Sequence, residues 1–267
     1  MNGDELREAR LRAGWTQQEL AGRLGVTQAY LSMAERGHRV LPSSLARKAV
    51  GVLHARPTAL PLREEGVGAP SDSDKLRSEL AALGYPGFAH LRGPDVRARR
   101  NPAEVLLNAL HGADVDTRVV EGLPWLAFHY ADLDWDWAVQ NAKLHDLQNR
   151  LGFVATMASR LGVSPLSPLS PLSQLSPLSP MGASPSADSQ PAAPPRGSAP
   201  AGEPRSRRLK EYAAVLDRSR LVKEDTLCHD SLTEAERKWL RVNRPAEAAH
   251  WNLLTDMQAE NLPHGRN

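Results

Sequence analysis

Between Ser164 and Met181 the chain reads SPLSPLSPLSQLSPLSPM, six tandem triplets of the form S-P/Q-L/M. This run limits the fold more than any other feature. Proline has no backbone N–H, and its ring clashes with the preceding helical turn, so neither a helix interior nor a central strand accommodates the repeat. Eleven of the chain's 21 prolines fall between Ser164 and Pro204. Residues 163–204 therefore read as a polyproline-II-like or disordered Ser/Pro/Leu-repeat spacer. A three-residue repeat expands easily, so a plain spacer explains it. The other reading is a ligand for a proline-binding module.

Around this spacer lie three stretches with helical periodicity: residues 1–55, 72–162 and 205–262. Residues 56–71, RPTALPLREEGVGAPS, hold three prolines and read as a first linker. The best strand candidate is YADLDWDW, which alternates but is too short and isolated to build a sheet. The expected fold class is all-α.

Composition narrows the function classes. The 267 residues carry a net charge of only +2, too little to mark the whole chain as a polyanion binder. The distribution says more: residues 1–60 hold nine Arg/Lys and five Asp/Glu, and residues 205–223 hold seven and two. Residues 114–137 hold one Arg and six acids. Basic ends around an acidic middle hint at a polyanion partner. Cys228 is the single cysteine, so no disulfide framework exists, and a reducing cytoplasm is the expected compartment. The start, MNGDELREAR, is not an apolar signal segment, and no run approaches the roughly 18 apolar residues of a membrane span.

The most informative stretch is GWTQQELAGRLGVTQAYLSMAERG, Gly14 to Gly37. Thr16 and Glu19 have the spacing of a capping box and predict a helix start. Leu20, Ala21 and Leu24 form its inner face. Gly25 stands where that helix stops, at a place suited to a left-handed backbone. Thr27 caps a second helix from Gln28 to about Glu35, with Leu31 and Ala34 facing inward and Gln28, Ala29, Ser32, Met33 and Arg36 elsewhere. Two short helices across a tight turn are the geometry that lays the second helix in a DNA major groove.

Read in order, W-T-Q-Q-E-L-A-x-x-L-G-V-T-Q-x-Y-L-S-x-x-E-R-G resembles the Cro/C1-type helix-turn-helix domain of the XRE family of bacterial and phage regulators. The resemblance covers about Leu6 to Leu53, one fifth of the chain. DELREARLRAG before it and PSSLARKAVGVL after it complete the family's lambda-repressor-like helical domain. The resemblance implies roles for matching positions. Gln17 contacts a phosphate and braces Gln28. Gln28 grips an adenine through N6 and N7, Ala29 meets a thymine methyl, and Met33 adds an apolar contact one turn on. Tyr30 departs from the short polar residues usual at its position, so either its hydroxyl reaches a phosphate or the ring is core. Ser32 shares the exposed face. Arg36, His38 and Arg39 follow the recognition helix and contact the DNA backbone. Arg10 and Glu35 match a buried ion pair of the family, a structural role shared with Thr16, Glu19, Gly25 and Thr27. One such domain covers a half-site, so a homodimer on double-stranded DNA is expected.

The middle segment concentrates aromatics: Trp125, Phe128, Tyr130, Trp135 and Trp137 fall within 13 residues. A helical core uses such residues, and so does a ligand pocket. Asp132, Asp134 and Asp136 do not make a calcium loop, because Trp137 and Lys143 stand where that loop needs Gly and Glu. Asp132 or Asp134 instead suits the cap of the next helix. Leu144, Leu147, Leu151, Val154, Ala158 and Leu161 step by three and four. That stripe reads as a core-facing helix or a short coiled-coil dimer. Tyr85 and Phe88 anchor a turn at GYPGF, and Asn101-Pro102 starts a helix. Arg92, Arg97, Arg99 and Arg100 form a basic patch, a solvated linker or a contact with flanking DNA. LPWLAFHYADLDWDWAVQNAKLHDLQNRLGFV resembles a segment of bacterial helix-turn-helix regulators, some of which accompany nucleotidyltransferase-type toxins. That resemblance implies an antitoxin role and a toxin partner, and no functional residue follows from it.

In the C-terminal segment Leu209, Tyr212 and Leu216 make an apolar stripe, Thr233 and Glu236 a capping box, and Pro245 a helix start. Trp239, Leu240, Ala248, Trp251 and Leu254 either dock back on the middle segment or hold a separate partner protein. The adjacent Cys228 and His229 have no base–orienter set around them, the histidines lack zinc spacing, and no glycine loop cradles a phosphate. Neither an enzyme nor a cofactor or metal site is expected. The reading from sequence is a DNA-binding transcriptional regulator. The alternative is an antitoxin that neutralises a protein toxin and autoregulates through its DNA-binding domain.

Overall fold

The structure, a computed structural model, describes residues 1–63, 66, 68, 72–93, 98–161 and 203–264. The Ser/Pro/Leu repeat and Arg97 lie outside the described residues. Among those described, the fold is mostly helical, with twelve α-helices and one parallel pair of two-residue strands.

The first four helices are α1 (Gly3–Arg12), α2 (Gln17–Leu24), α3 (Gln28–Glu35) and α4 (Ser43–Val52). Local chemistry sets their ends. Asn2 and Glu5 form a reciprocal capping box on α1, and Thr16 and Glu19 form one on α2. Helix α2 stops at Gly25, whose φ of 78° a Cβ would resist. The Thr27 hydroxyl accepts from the Tyr30 N–H and starts α3. These helices close around a small aliphatic core of their own, with Leu6, Leu20, Leu24, Leu31 and Ala49 at its centre.

The remaining helices, all but α11, contribute to a second, larger core. They are α5 (Ser73–Ala82), α6 (Pro102–Leu110), α7 (Thr117–His129), α8 (Trp135–Leu144), α9 (Gln148–Leu161), α10 (Glu203–Asp217), α11 (Glu234–Asn243) and α12 (Ala246–His250). Every residue of α6 is buried, and α9 is buried almost all round. Helices without a polar face belong at the centre of a core. Trp125, Tyr130 and Trp135 are buried in this core, with Phe128 and Trp137 half-buried against it. Tyr85 and Phe88 anchor their turn there. The Asp134 carboxylate caps α8 by accepting from the Trp137 N–H. Asp132 instead pairs with Arg56 at 3.1 Å.

The C-terminal segment docks on the middle one. Leu209, Leu216, Leu227, Ala248, Trp251 and Leu253 belong to the same apolar cluster as Leu106, Leu151 and Phe153. The Trp251 indole N–H donates to the Thr156 hydroxyl at 3.0 Å. A side chain at Gly152 would place its Cβ 2.3 Å from the Trp251 ring. Strands β1 (Asp225–Thr226) and β2 (Leu253–Leu254) pair in parallel beside this contact. The Arg150 guanidinium ties it to α6: it pairs with Asp225 at 2.7 Å and donates to the carbonyls of Leu110 and Gly112.

Three expectations need correction. The stripe from Leu144 to Leu161 is not one helix. Helix α8 ends at Leu144, which is 77% exposed, and Asp146 turns the chain at φ 56° before α9. Trp239 does not dock with Leu240 and Trp251, being 56% exposed. Residues 56–62 are not a free linker: a 3-10 turn at Pro57–Ala59 is held by Asn101, whose amide donates to the carbonyls of Thr58 and Leu60. Arg100 of the basic patch is also engaged, pairing with Glu79 and Glu104.

Candidate nucleic-acid interface

The α2–turn–α3 unit fixes one helix face outward. Leu31, Ala34 and Glu35 point into the core, so Gln28 and Ala29, in the first turn of α3, are exposed. Tyr30, Ser32 and Met33 are half-buried. Beyond the helix, Arg36, His38 and Arg39 are exposed, and Gly37 turns the chain at φ 73°. The Arg36 guanidinium folds back over the last turn, donating to the Ser32 carbonyl at 3.1 Å and the Ser32 hydroxyl at 2.9 Å. Arg39 stands 5.8 Å from the centre of the Tyr30 ring, within the outer range of a cation–π contact.

A buried polar triad holds α3 against α1 and α2. Arg10 donates to both carboxylate oxygens of Glu35, at 2.6 and 2.9 Å, and to the Trp15 carbonyl at 2.7 Å. Gln17, at the start of α2, donates its amide to Glu35 at 2.8 Å and is turned toward that carboxylate. Burial pushes the Glu35 carboxyl up, but the hydrogen bonds from Arg10 and Gln17 and the charges of Arg10 and Arg7 outweigh it. The result is a carboxyl held below its ordinary value. The one acid of α3 is thus neutralised at its root, and its charge does not oppose an anion at the helix surface.

The family model described as helix-turn-helix matches residues 6–59. These residues are a Cro/C1-type helix-turn-helix domain of the XRE family. The family is a DNA-binding regulatory domain and not a catalytic one. No curated protein and no solved structure matches the chain.

The match reaches past α4 and takes in the turn at Pro57–Ala59. Within the helix-turn-helix domain Arg36, Arg39 and Arg47 are exposed and form no ion pair among the described residues, which leaves their charge for a polyanion. Two contacts have no local signal in the sequence. Lys48 of α4 donates its ammonium to the Leu24 carbonyl at 2.9 Å, placing a cation at the negative end of α2. The Arg23 guanidinium lies 4.2 Å from the centre of the Trp15 indole. Both depend on tertiary neighbours, and no local spacing announces them.

Elsewhere the chemistry is quiet. Burial pushes the Cys228 thiol up to about 12, and its Sγ lies 3.4 Å from the Ala109 carbonyl. A thiol so raised supplies almost no thiolate near neutrality. Among the described residues no group of three His, Cys, Asp or Glu side chains is placed to hold a metal ion. No described helix is long and apolar enough to cross a membrane.

Proposed function

We propose that this chain is a sequence-specific transcriptional regulator that sets α3 in the major groove of double-stranded DNA, two copies to an operator. Residues 1–55 carry the recognition, and the later helices serve pairing or signal sensing. One observation carries the reading: the family-matched unit presents Gln28 and Ala29 outward from the first turn of α3 while Arg10, Gln17 and Glu35 fix its angle. Gln28 has the two-pronged amide that suits adenine N6 and N7, and Ala29 leaves room for a thymine methyl. Met33 lies one turn further along the same helix. Tyr30, Ser32, Arg36, His38 and Arg39 supply phosphate contacts around them, which position the domain without reading sequence.

Selection from a pool of random duplexes tests this reading. The full chain should enrich a two-fold repeated half-site. Gln28→Ala should relax preference at one base pair of each half-site, by about 1–3 kcal/mol. Enrichment of no common sequence, or an unchanged preference in Gln28→Ala, would count against the assignment.

A further inference from the structure

A groove of about 480 Å³ opens between α7, α11 and the segment after β2. Its floor is apolar: Val115, Val120, Leu227, Leu240 and Leu254 line it and are buried. Trp239 stands at its edge, 56% exposed, and Val242, three residues on along α11, is 81% exposed. The charged lining is of one sign. Glu121, Glu236 and Asp256 face the groove with His229, and among the described residues no arginine or lysine lines it. Among the described residues none of the three carboxylates forms an ion pair with a cation.

An exposed tryptophan beside an apolar floor is the arrangement found at the centre of protein interfaces. The volume falls within the range of about 300–1,000 Å³ that ordered ligands occupy. Glu236 is held in the capping box with Thr233, but the Glu121 and Asp256 carboxylates select charge in the occupant, because a like charge there is repelled and a lysine or arginine is drawn in. We propose that this groove docks a segment of a partner protein whose large apolar side chains are flanked by lysine or arginine. The site goes beyond the DNA-binding reading and stands whether or not that reading holds.

The test uses the full chain and a fluorescein-labelled amphipathic leucine–lysine peptide, with the leucine–glutamate counterpart as control, read by anisotropy. The lysine peptide should bind saturably and the glutamate peptide should not. Trp239→Ser removes an exposed side chain and leaves the fold intact; it should weaken binding by roughly tenfold or more. Glu121→Gln combined with Asp256→Asn should weaken the lysine peptide through charge alone, and added salt should do the same. Absence of saturable binding, or equal binding by both peptides or by all variants, overturns the proposal. So does a dimer of the peptide-free chain that Trp239→Ser converts to monomer in sedimentation, since the groove would then hold a second copy.

Discussion

Arg10 and Glu35, 25 residues apart, form a two-pronged buried ion pair that sets the angle of α3 against α1. Their side chains are 8% and 1% exposed, so neither charge has water to fall back on. Removing one partner of such a pair is costly because the other is left buried and unpaired. Glu35→Ala should destabilise the helix-turn-helix domain by about 3 kcal/mol, read by urea unfolding. A loss under about 1 kcal/mol would mean that the pair is solvated in solution.

The same carboxyl makes stability depend on pH. Its folded pKa lies below its ordinary value, although burial alone pushes it up, because Arg10 and Gln17 hold the charged form. A lowered folded pKa gives stability that is complete above the unfolded glutamate value and is lost as pH falls through the folded one. Unfolding midpoints of the wild type should therefore drop in acid. In Glu35→Gln that contribution should be missing, so the curve should be flatter over that window. Parallel curves for the two proteins would contradict the assignment.

Gly25 should resist substitution for a backbone reason alone. Its φ is 78°, and a Cβ there would meet only the Lys48 ammonium at 3.7 Å, which is ordinary contact. Gly25→Ala should cost about 1 kcal/mol through the left-handed strain, with no clash against a neighbouring side chain. Equal stability of Gly25→Ala and wild type in urea would show that the turn adjusts.

Gly152 poses the opposite case. In a helix, alanine is favoured over glycine by about 0.5–1 kcal/mol. Here the added carbon would lie 2.3 Å from two atoms of the Trp251 ring, and a packed indole cannot step aside cheaply. Overpacking of this kind costs about 1–3 kcal/mol. The clash should win, so Gly152→Ala should lower the unfolding midpoint and alter Trp251 fluorescence. A raised midpoint would show that the C-terminal segment is not seated on α9.

Cys228 gives a clean probe because it is the only cysteine in the chain. Its thiol is fully buried and pushed up to about 12 by burial. At neutral pH an aromatic disulfide reagent should find no reactive thiol in the folded protein and one after denaturation. Rapid reaction of the folded chain would contradict the docking of this segment.

What was legible in the sequence was local. Thr16, Glu19, Gly25 and Thr27 announce α2 and α3 because caps and left-handed glycines act within a few residues. Asn101-Pro102, Asp134 and Thr233-Glu236 mark other starts in the same way. The contacts that seat the C-terminal segment were not legible. Arg150 meets Asp225 across 75 positions, and Trp251 meets Thr156 across 95. The 3,4 stripe failed for a related reason: leucines on two successive helices keep the count while Asp146 breaks the chain direction between them. In the candidate interface, the resemblance implies that Gln17 contacts a phosphate and braces Gln28; in the structure its amide donates to the buried Glu35 carboxylate, a contact no local spacing announces.

Arg39 and Gln28 should fail differently. Arg39→Ala should weaken binding to every duplex alike and lower the salt slope by about one. Gln28→Ala should act at one base pair. If Arg39→Ala changes which sequences bind, the two roles are wrongly divided.

Selective DNA binding can be read from fluorescence anisotropy of the full chain on its own upstream DNA and on a scrambled duplex, at two salt concentrations. Binding to the first should be tight and to the second weak, with a steep loss of both as salt rises. Equal, weak binding to the two duplexes would contradict it.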